Sequence, residues 1–366
     1  MLNSAEVQLR NDNMPIIDNS DEQNLQKHPL YDSLFLSASD ELIHADLGPI
    51  FICKKEWLIQ IIDNLESHHN ATLGRRLAHS SLNHSLNLDY NKWMPKNSIF
   101  QFIMKKRILE SFESWANNRV NLGRGHVTVI SWPYSFHIQN PLMVSIEVGE
   151  ICAFVQSVIG KSLRYQWRDD GGNNASITFE PIDVPISDET NILKTELNAS
   201  TVAIDIDDGT GWPNSDGVPL CVIPTNVMKE FYRTMHELPE KEITDPLIQE
   251  SESTSSIDEI LCLSACKASS TETQRYILDT VEQIESWFCN RIESFGFGKL
   301  RTVNFENNSF NVSFDSFIPW PIIGGIFLNS WQRNSGLLGK ITNIDVSDSH
   351  TNIAIISRRE IAEFDE

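Results

Sequence analysis

The chain is poor in basic residues: 29 lysines and arginines stand against 50 aspartates and glutamates, a formal net charge of −21 at pH 7. Such a polyanion repels phosphate backbones, and no compact basic run offsets the repulsion. Nucleic acid and anionic membrane surfaces are therefore not expected partners. Long apolar runs are also missing. The longest, Phe317 to Leu328, is broken by prolines and glycines and is too short to span a bilayer, so no membrane insertion is expected. Met1 to Gln26 is rich in Asn, Asp, Glu and Gln and lacks the apolar stretch of a secretory signal. The six cysteines, at 53, 152, 221, 262, 266 and 289, follow no framework spacing. That pattern predicts reduced, buried thiols in a cytoplasmic protein.

Catalytic signatures are absent as well. No Ser/His/Asp order, phosphate-cradling glycine loop or Walker-type lysine is present, and Gly123-Arg124-Gly125 precedes a strand, so it reads as a helix end. His68, His69, His79 and His84 crowd one segment without a zinc spacing, and Cys262 and Cys266 have no second pair nearby. Asp205-x-Asp207-Asp208-Gly209 lacks the distal glutamate of a calcium loop. Glu147 and Glu150 lie one turn apart and could work as an acid/base pair, but a solvated helix face is the expectation. No metal and no cofactor is expected.

What the chain does contain is one pattern twice. Glu113-Ser114-Trp115-x-x-Asn118-Arg119 recurs as Glu285-Ser286-Trp287-x-x-Asn290-Arg291, an offset of 172. Three further matches keep the same order. Gly48 to Cys53 matches Val218 to Ile223, Ser135-Phe136-His137-Ile138 matches Ser309-Phe310-Asn311-Val312, and Gly160-Lys161 matches Gly339-Lys340. The offset drifts from 170 to 179, as loop insertions would make it. At 366 residues the length also suits two units.

Each unit reads as a strand, an amphipathic helix, a second helix, the long motif helix ending on a glycine pair, a hairpin, a helix opening near proline, and a closing hairpin. The expected fold is α+β: two duplicated modules, each an antiparallel sheet packed with helices, arranged as an intrachain pseudo-dimer. Residues 1–38 read as a disordered polar tail, 39–182 as the first module, 183–215 as an acidic connector and 216–366 as the second module. Thr201 to Ile206 alternates well enough to add an edge strand, and Glu237 to Asp258 reads as a mobile polar insertion.

This order of elements resembles the 4-vinyl-reductase domain family, related in fold to the small subunits of the TRAPP vesicle-tethering complex. Gly296-Phe297-Gly298-Lys299, the strand ending in Phe314-Asp315-Ser316-Phe317, the helix ends at Leu337-Leu338-Gly339-Lys340 and Val158-Ile159-Gly160-Lys161, and Leu73-Gly74-Arg75-Arg76-Leu77-Ala78 carry the resemblance. The family's C-terminal cysteine positions fall here on Trp167 and Ala175, and on Val346 and Ala354, so a metal or redox role tied to them does not transfer. The resemblance implies a sensing or accessory module, with one subgroup tied to vinyl reduction on tetrapyrroles.

The functional expectation is a non-enzymatic protein that binds a small apolar ligand or a protein partner. The alternatives are an accessory or enzyme of tetrapyrrole reduction, and a scaffold or tether subunit with no ligand. Trp132, Phe136, Phe154, Trp167, Trp320, Phe327 and Trp331 are the candidate pocket lining. Trp115, Arg119, Trp287 and Arg291 are the candidate inter-module contact, because an arginine four residues after a tryptophan shares its helical face. A monomer follows from the fused pair.

Overall fold

A computed structural model describes residues 33–37, 39–90, 93, 101–184, 202–203, 220–241, 243, 246–248, 254–271, 278–306, 309–347 and 350–358. The fold is α+β, with every ladder antiparallel apart from one isolated parallel bridge among these residues.

In the first half come β1 (Leu34–Leu36), β2 (Leu42–His44), β3 (Gly48–Lys54), α1 (Lys55–His69), α2 (Gly74–Leu86) and α3 (Gln101–Asn121). They are followed by β4 (His126–Ser131), β5 (Ser135–Gln139), α4 (Val144–Ile159), β6 (Leu163–Gly171) and β7 (Asn174–Pro181). After β8 (Val202–Ala203) the series recurs. The second half has β9 (Leu220–Pro224), α5 (Thr225–Met235), α6 (Ser256–Ser270), α7 (Val281–Phe288), β10 (Gly298–Glu306), β11 (Ser309–Ser316), α8 (Trp320–Ser335), β12 (Gly339–Val346) and β13 (Thr351–Ser357). The two four-stranded sheets have matching orders, β4-β5-β7-β6 and β10-β11-β13-β12.

The halves meet through β3 and β9, the last pair of a five-stranded sheet ordered β8-β1-β2-β3-β9. In their register Ile52 faces Val222 and Cys53 faces Cys221. Ile52 and Val222 are also counterparts in the sequence repeat, so this strand pairs with its own equivalent, as an isologous interface does. The outer edges repeat the relation. The Ile52 N–H donates to the Phe295 carbonyl at 2.8 Å, and the Val222 N–H donates to the Leu122 carbonyl at 2.9 Å. Ile50–Cys53 and Leu220–Ile223 are unbroken apolar runs because both faces of each strand are covered. Ile50, Ile52, Leu220 and Val222 enter one core, and the alternating Phe51, Cys53, Cys221 and Ile223 enter the other. The helices cross over in the same sense, α1 packing on α6 and α5 on α2.

Several local expectations are corrected. Leu34–Leu36, assigned to the tail, form β1, since Leu34 is fully buried. Residues 1–32, most of the connector and residues 272–277 lie outside the described residues. The edge strand expected at Thr201 to Ile206 is seen at Val202–Ala203, paired with β1. Within the insertion read as mobile, Leu247 and Ile248 are buried, and their N–H groups donate to the Glu259 carboxylate. The Ile341 N–H donates to the Leu247 carbonyl at 2.7 Å, which holds this segment to β12.

The helix equivalence also shifts. Gly160 and Gly336 are the left-handed caps of α4 and α8, an offset of 176, so the counterpart of Gly160 is Gly336 rather than Gly339. Gly149 and Gly325 have the same spacing. A Cβ on Gly149 would lie 2.3 Å from the Ala78 carbonyl oxygen, and one on Gly325 would lie 2.3 Å from that of Cys262. Each glycine thus permits the close α2–α4 or α6–α8 crossing.

Candidate ligand cavity

The motif helix differs between the halves by one turn. In the first half α3 is α-helical through Asn121. In the second, α7 passes into a π-helical turn at Cys289–Glu293. A turn closed by i→i+5 bonds holds one residue more than an α turn. This accounts for the offset growing from 172 at the motif to 173 at Gly123 and Gly296. The insertion is in the helix, where a loop insertion was expected. Counting back from the glycines, Ile292 takes the inward position of Arg119; Ile292 is fully buried, and Arg291 is turned to an intermediate exposure.

Around Arg119 the first half buries four charges. Glu147 and Glu150, expected on a solvated face, are 0% and 2% exposed, and Arg119 and Arg124 are 1% and 0% exposed. Arg119 pairs with both carboxylates. Arg124 reaches Glu147 through Nε at 2.9 Å and Glu150 through Nη2 at 2.7 Å. The Arg119 guanidinium also lies 4.8 Å from the Trp115 ring centroid. The correction has a simple cause: two arginines arriving from α3 and the turn after it neutralise two glutamates that helical periodicity alone places outside. Burial by itself raises the Glu150 carboxyl, but Arg119 and Arg124 override it and hold it at about 2. Burial pushes His84, beside this cluster, down to about 4, and pushes Arg124 down to about 10.

The second half replaces all four charges with apolar side chains. Arg119, Arg124, Glu147 and Glu150 correspond to Ile292, Phe297, Ile323 and Ile326, by the spacing of the glycines that flank them. At equivalent places the first half keeps a cavity of about 20 Å³, bordered by Trp115, Asn118, Arg119, Leu122 and Glu150, and the second a cavity of about 60 Å³. In the larger one both halves supply the lining. The first half contributes Ile52, Cys53, Lys54 and Trp57; the second contributes Ser269, Trp287, Arg291, Phe295, Phe297, Ile326, Asn329, Ser330 and Arg333. Its aromatic wall is rigid: the Trp57 Nε1–H donates to Ser269 Oγ at 3.0 Å, and the Phe297 ring centroid lies 5.7 Å from that of Trp57.

Most of the aromatics expected to line a pocket are core. Phe136 and Phe154 pack on Phe112, Phe327 stacks on Phe310 at 4.7 Å, and Trp331 is buried against Gly339. Trp132 is half-buried beside Phe112, and Trp167 lies 6.1 Å from Tyr165 on the sheet. Trp320 borders a separate groove of about 470 Å³ together with Glu41, Lys229, Arg301, Asp315 and His350. Two of its charges, Arg301 and Asp315, pair with each other at 2.6 Å. Of the four residues expected at the inter-module contact, Trp115 and Arg119 lie in the first half's own core. Trp287 and Arg291 face β3 and α1 across the cavity. Sequence reasoning missed Lys54, Trp57, Phe297 and Ile326. The signal that could have found Phe297 and Ile326 is the loss of charge opposite Arg124 and Glu150 once the copies are aligned on glycines.

The class defined so far is an α+β protein of two like halves joined through a shared sheet. Comparison of the chain with protein-family models, with curated proteins and with solved structures gives no match. Among the described residues no helix is long and apolar enough to cross a membrane, and no cluster of three or more His, Cys, Asp or Glu side chains is placed to hold a metal ion.

Proposed function

We propose that this is a cytoplasmic small-molecule-binding protein without catalytic activity, built from two 4-vinyl-reductase-like modules, whose ligand sits in the cavity between the halves. The observation that supports this reading is the asymmetry at one equivalent position. The first half narrows the space to about 20 Å³ between paired Arg119 and Glu150, while the second leaves about 60 Å³ and lines it with Trp57, Trp287 and Phe297. Such sites combine apolar walls with a few convergent polar groups. The repeated order of strands and helices supports the family part of the proposal. A macrocycle is a poor fit to about 60 Å³ when one water takes about 10–15 Å³ on that scale, so this cavity lends tetrapyrrole reduction no support.

Native mass spectrometry of the full chain recovered from its source tests the proposal. The wild type should retain a small-molecule mass, and Ile326→Trp, which fills the cavity, should lose it at an unchanged melting temperature. Wild type of bare mass, or equal retention by the variant, contradicts the reading.

A further inference from the structure

We propose that Cys53 and Cys221 form a reversible thiol–disulfide pair, closed by a small hydroperoxide that enters through the cavity, and that the bond ties the two halves together across β3 and β9. This goes beyond ligand binding and does not depend on it.

The ladder supplies the geometry. Ile52 and Val222 turn their N–H groups outward, to Phe295 and Leu122, so the next residues, Cys53 and Cys221, are a hydrogen-bonded pair facing one another. Cα atoms of such a pair stand about 5.5 Å apart, inside the range of roughly 4.4–6.8 Å that a disulfide spans. Both side chains enter one core, and their Sγ atoms lie 3.6 Å apart. The Cys221 thiol also donates to the Cys53 carbonyl at 3.2 Å, which holds it beside its partner. Packing alone does not call for sulfur here. The symmetry that exchanges the halves carries this pair onto Phe51 and Ile223, which are apolar and also buried.

Access assigns the order of events. Cys53 lines the cavity and Cys221 does not. The cavity, about 60 Å³, has room for hydrogen peroxide, since a water takes about 10–15 Å³ on that scale, and the exposed Arg333 borders it. The Cys53 thiolate attacks one peroxide oxygen and the O–O bond breaks. The leaving hydroxide takes the thiol's proton, giving water and a sulfenic acid on Cys53. The Cys221 sulfur then attacks Cys53 Sγ, the S–O bond breaks, and the oxygen leaves as a second water with the Cys221 proton. Two thiols and one hydrogen peroxide thus give one disulfide and two waters. A small dithiol returns the two electrons and leaves as its own disulfide. Burial pushes the Cys53 thiol well up, with Cys221 adding to the rise, so the thiolate is scarce and the first step is slow. The pair therefore answers sustained oxidant and stays open in a reducing compartment.

The test is a peptide map of the full chain by mass spectrometry after exposure to hydrogen peroxide, with remaining thiols blocked on denaturation. The expected product is a linked Cys53–Cys221 peptide, two hydrogens lighter than its parts, which dithiothreitol separates again. The exposed Cys289 reports that the oxidant acted. Cys221→Val should leave a sulfenic acid on Cys53, trapped by a cyclic diketone, while Cys53→Val should leave Cys221 unmodified; the reverse pattern overturns this order. Ile326→Trp should slow the cross-link by about tenfold, because access limits the attack. An oxidised Cys289 with Cys53 and Cys221 both still thiols overturns the proposal, as does a link that forms only in urea. That wild-type result decides even where a variant fails to fold. Cross-linking at an unchanged rate in Ile326→Trp, or equal oxidation of the buried Cys152, overturns entry through the cavity.

Discussion

Replacing Arg124 with methionine is expected to destabilise the protein by about 3–5 kcal/mol, the cost of leaving a buried charge without its partner. The four charges around it balance only as a set. Without Arg124, Glu147 and Glu150 share Arg119 alone, and one negative charge stays at a fully buried position. Removing the whole set should cost far less. The second half already carries the apolar solution, so Arg119→Ile, Arg124→Phe, Glu147→Ile and Glu150→Ile together should recover most of the loss. Urea unfolding of the single and fourfold variants measures both. Equal destabilisation in the two would show that the charges are not coupled as described.

Acid sensitivity separates the same variants. The folded Glu150 carboxyl sits at about 2, below its ordinary 4.5, so the unfolded chain binds the proton more readily. The resulting stability is complete above about 4.5 and is lost as pH falls toward 2. His84, held at about 4 below its ordinary 6.5, gives a separate loss as pH falls from 6.5 to 4. The fourfold variant should lose the lower limb and keep the upper one.

Gly123→Ala is expected to be the most damaging glycine-to-alanine change among the described residues, at about 4 kcal/mol or more. Gly123 has φ +69°, and an added Cβ would stand 2.1 Å from the Leu220 carbonyl oxygen and 3.1 Å from the Cys221 Cα. Both are backbone atoms of β9, so relief requires moving the strand that joins the halves. Gly296 makes the equivalent approach from the second half: its φ is +74°, and its Cβ would lie 2.6 Å from the Ile50 carbonyl oxygen on β3. Gly160→Ala is the control, because it has φ +65° and nothing within 4 Å. It should cost only the left-handed penalty of about 1–2 kcal/mol. The difference between the two losses, read by urea unfolding, isolates the contact between halves. No difference would mean that β9 does not sit that close.

The repeat in the sequence indicated the element order, because apolar spacing and turn residues are local properties, but not the surface that joins the halves, which was expected at the motif helices and is the β3–β9 ladder. It also singled out the glycines after the motif helix, although their role is to let the opposite half's strand approach rather than simply to end a helix. The fate of Glu147 and Glu150 was not legible, since a carboxylate on an amphipathic helix looks solvated until the arginines facing it are known. Nor was the cavity. It depends on Trp57 from one half meeting Trp287 and Phe297 from the other, at sequence separations no local pattern encodes. The inserted residue near Arg291 left only a one-residue change of offset, which a loop explains as readily as a π-helical turn.

The central claim is that the halves share one architecture and that the second keeps the larger and more apolar of two equivalent cavities, about 60 Å³ against about 20 Å³. Diffraction from a xenon-pressurised crystal tests it most directly, because xenon enters small apolar cavities and carries strong scattering. The account predicts a xenon site against Trp57, Trp287, Phe297 and Ile326, and none at the equivalent position beside Arg124 and Glu150. Xenon at the first-half position, or at neither, would contradict it.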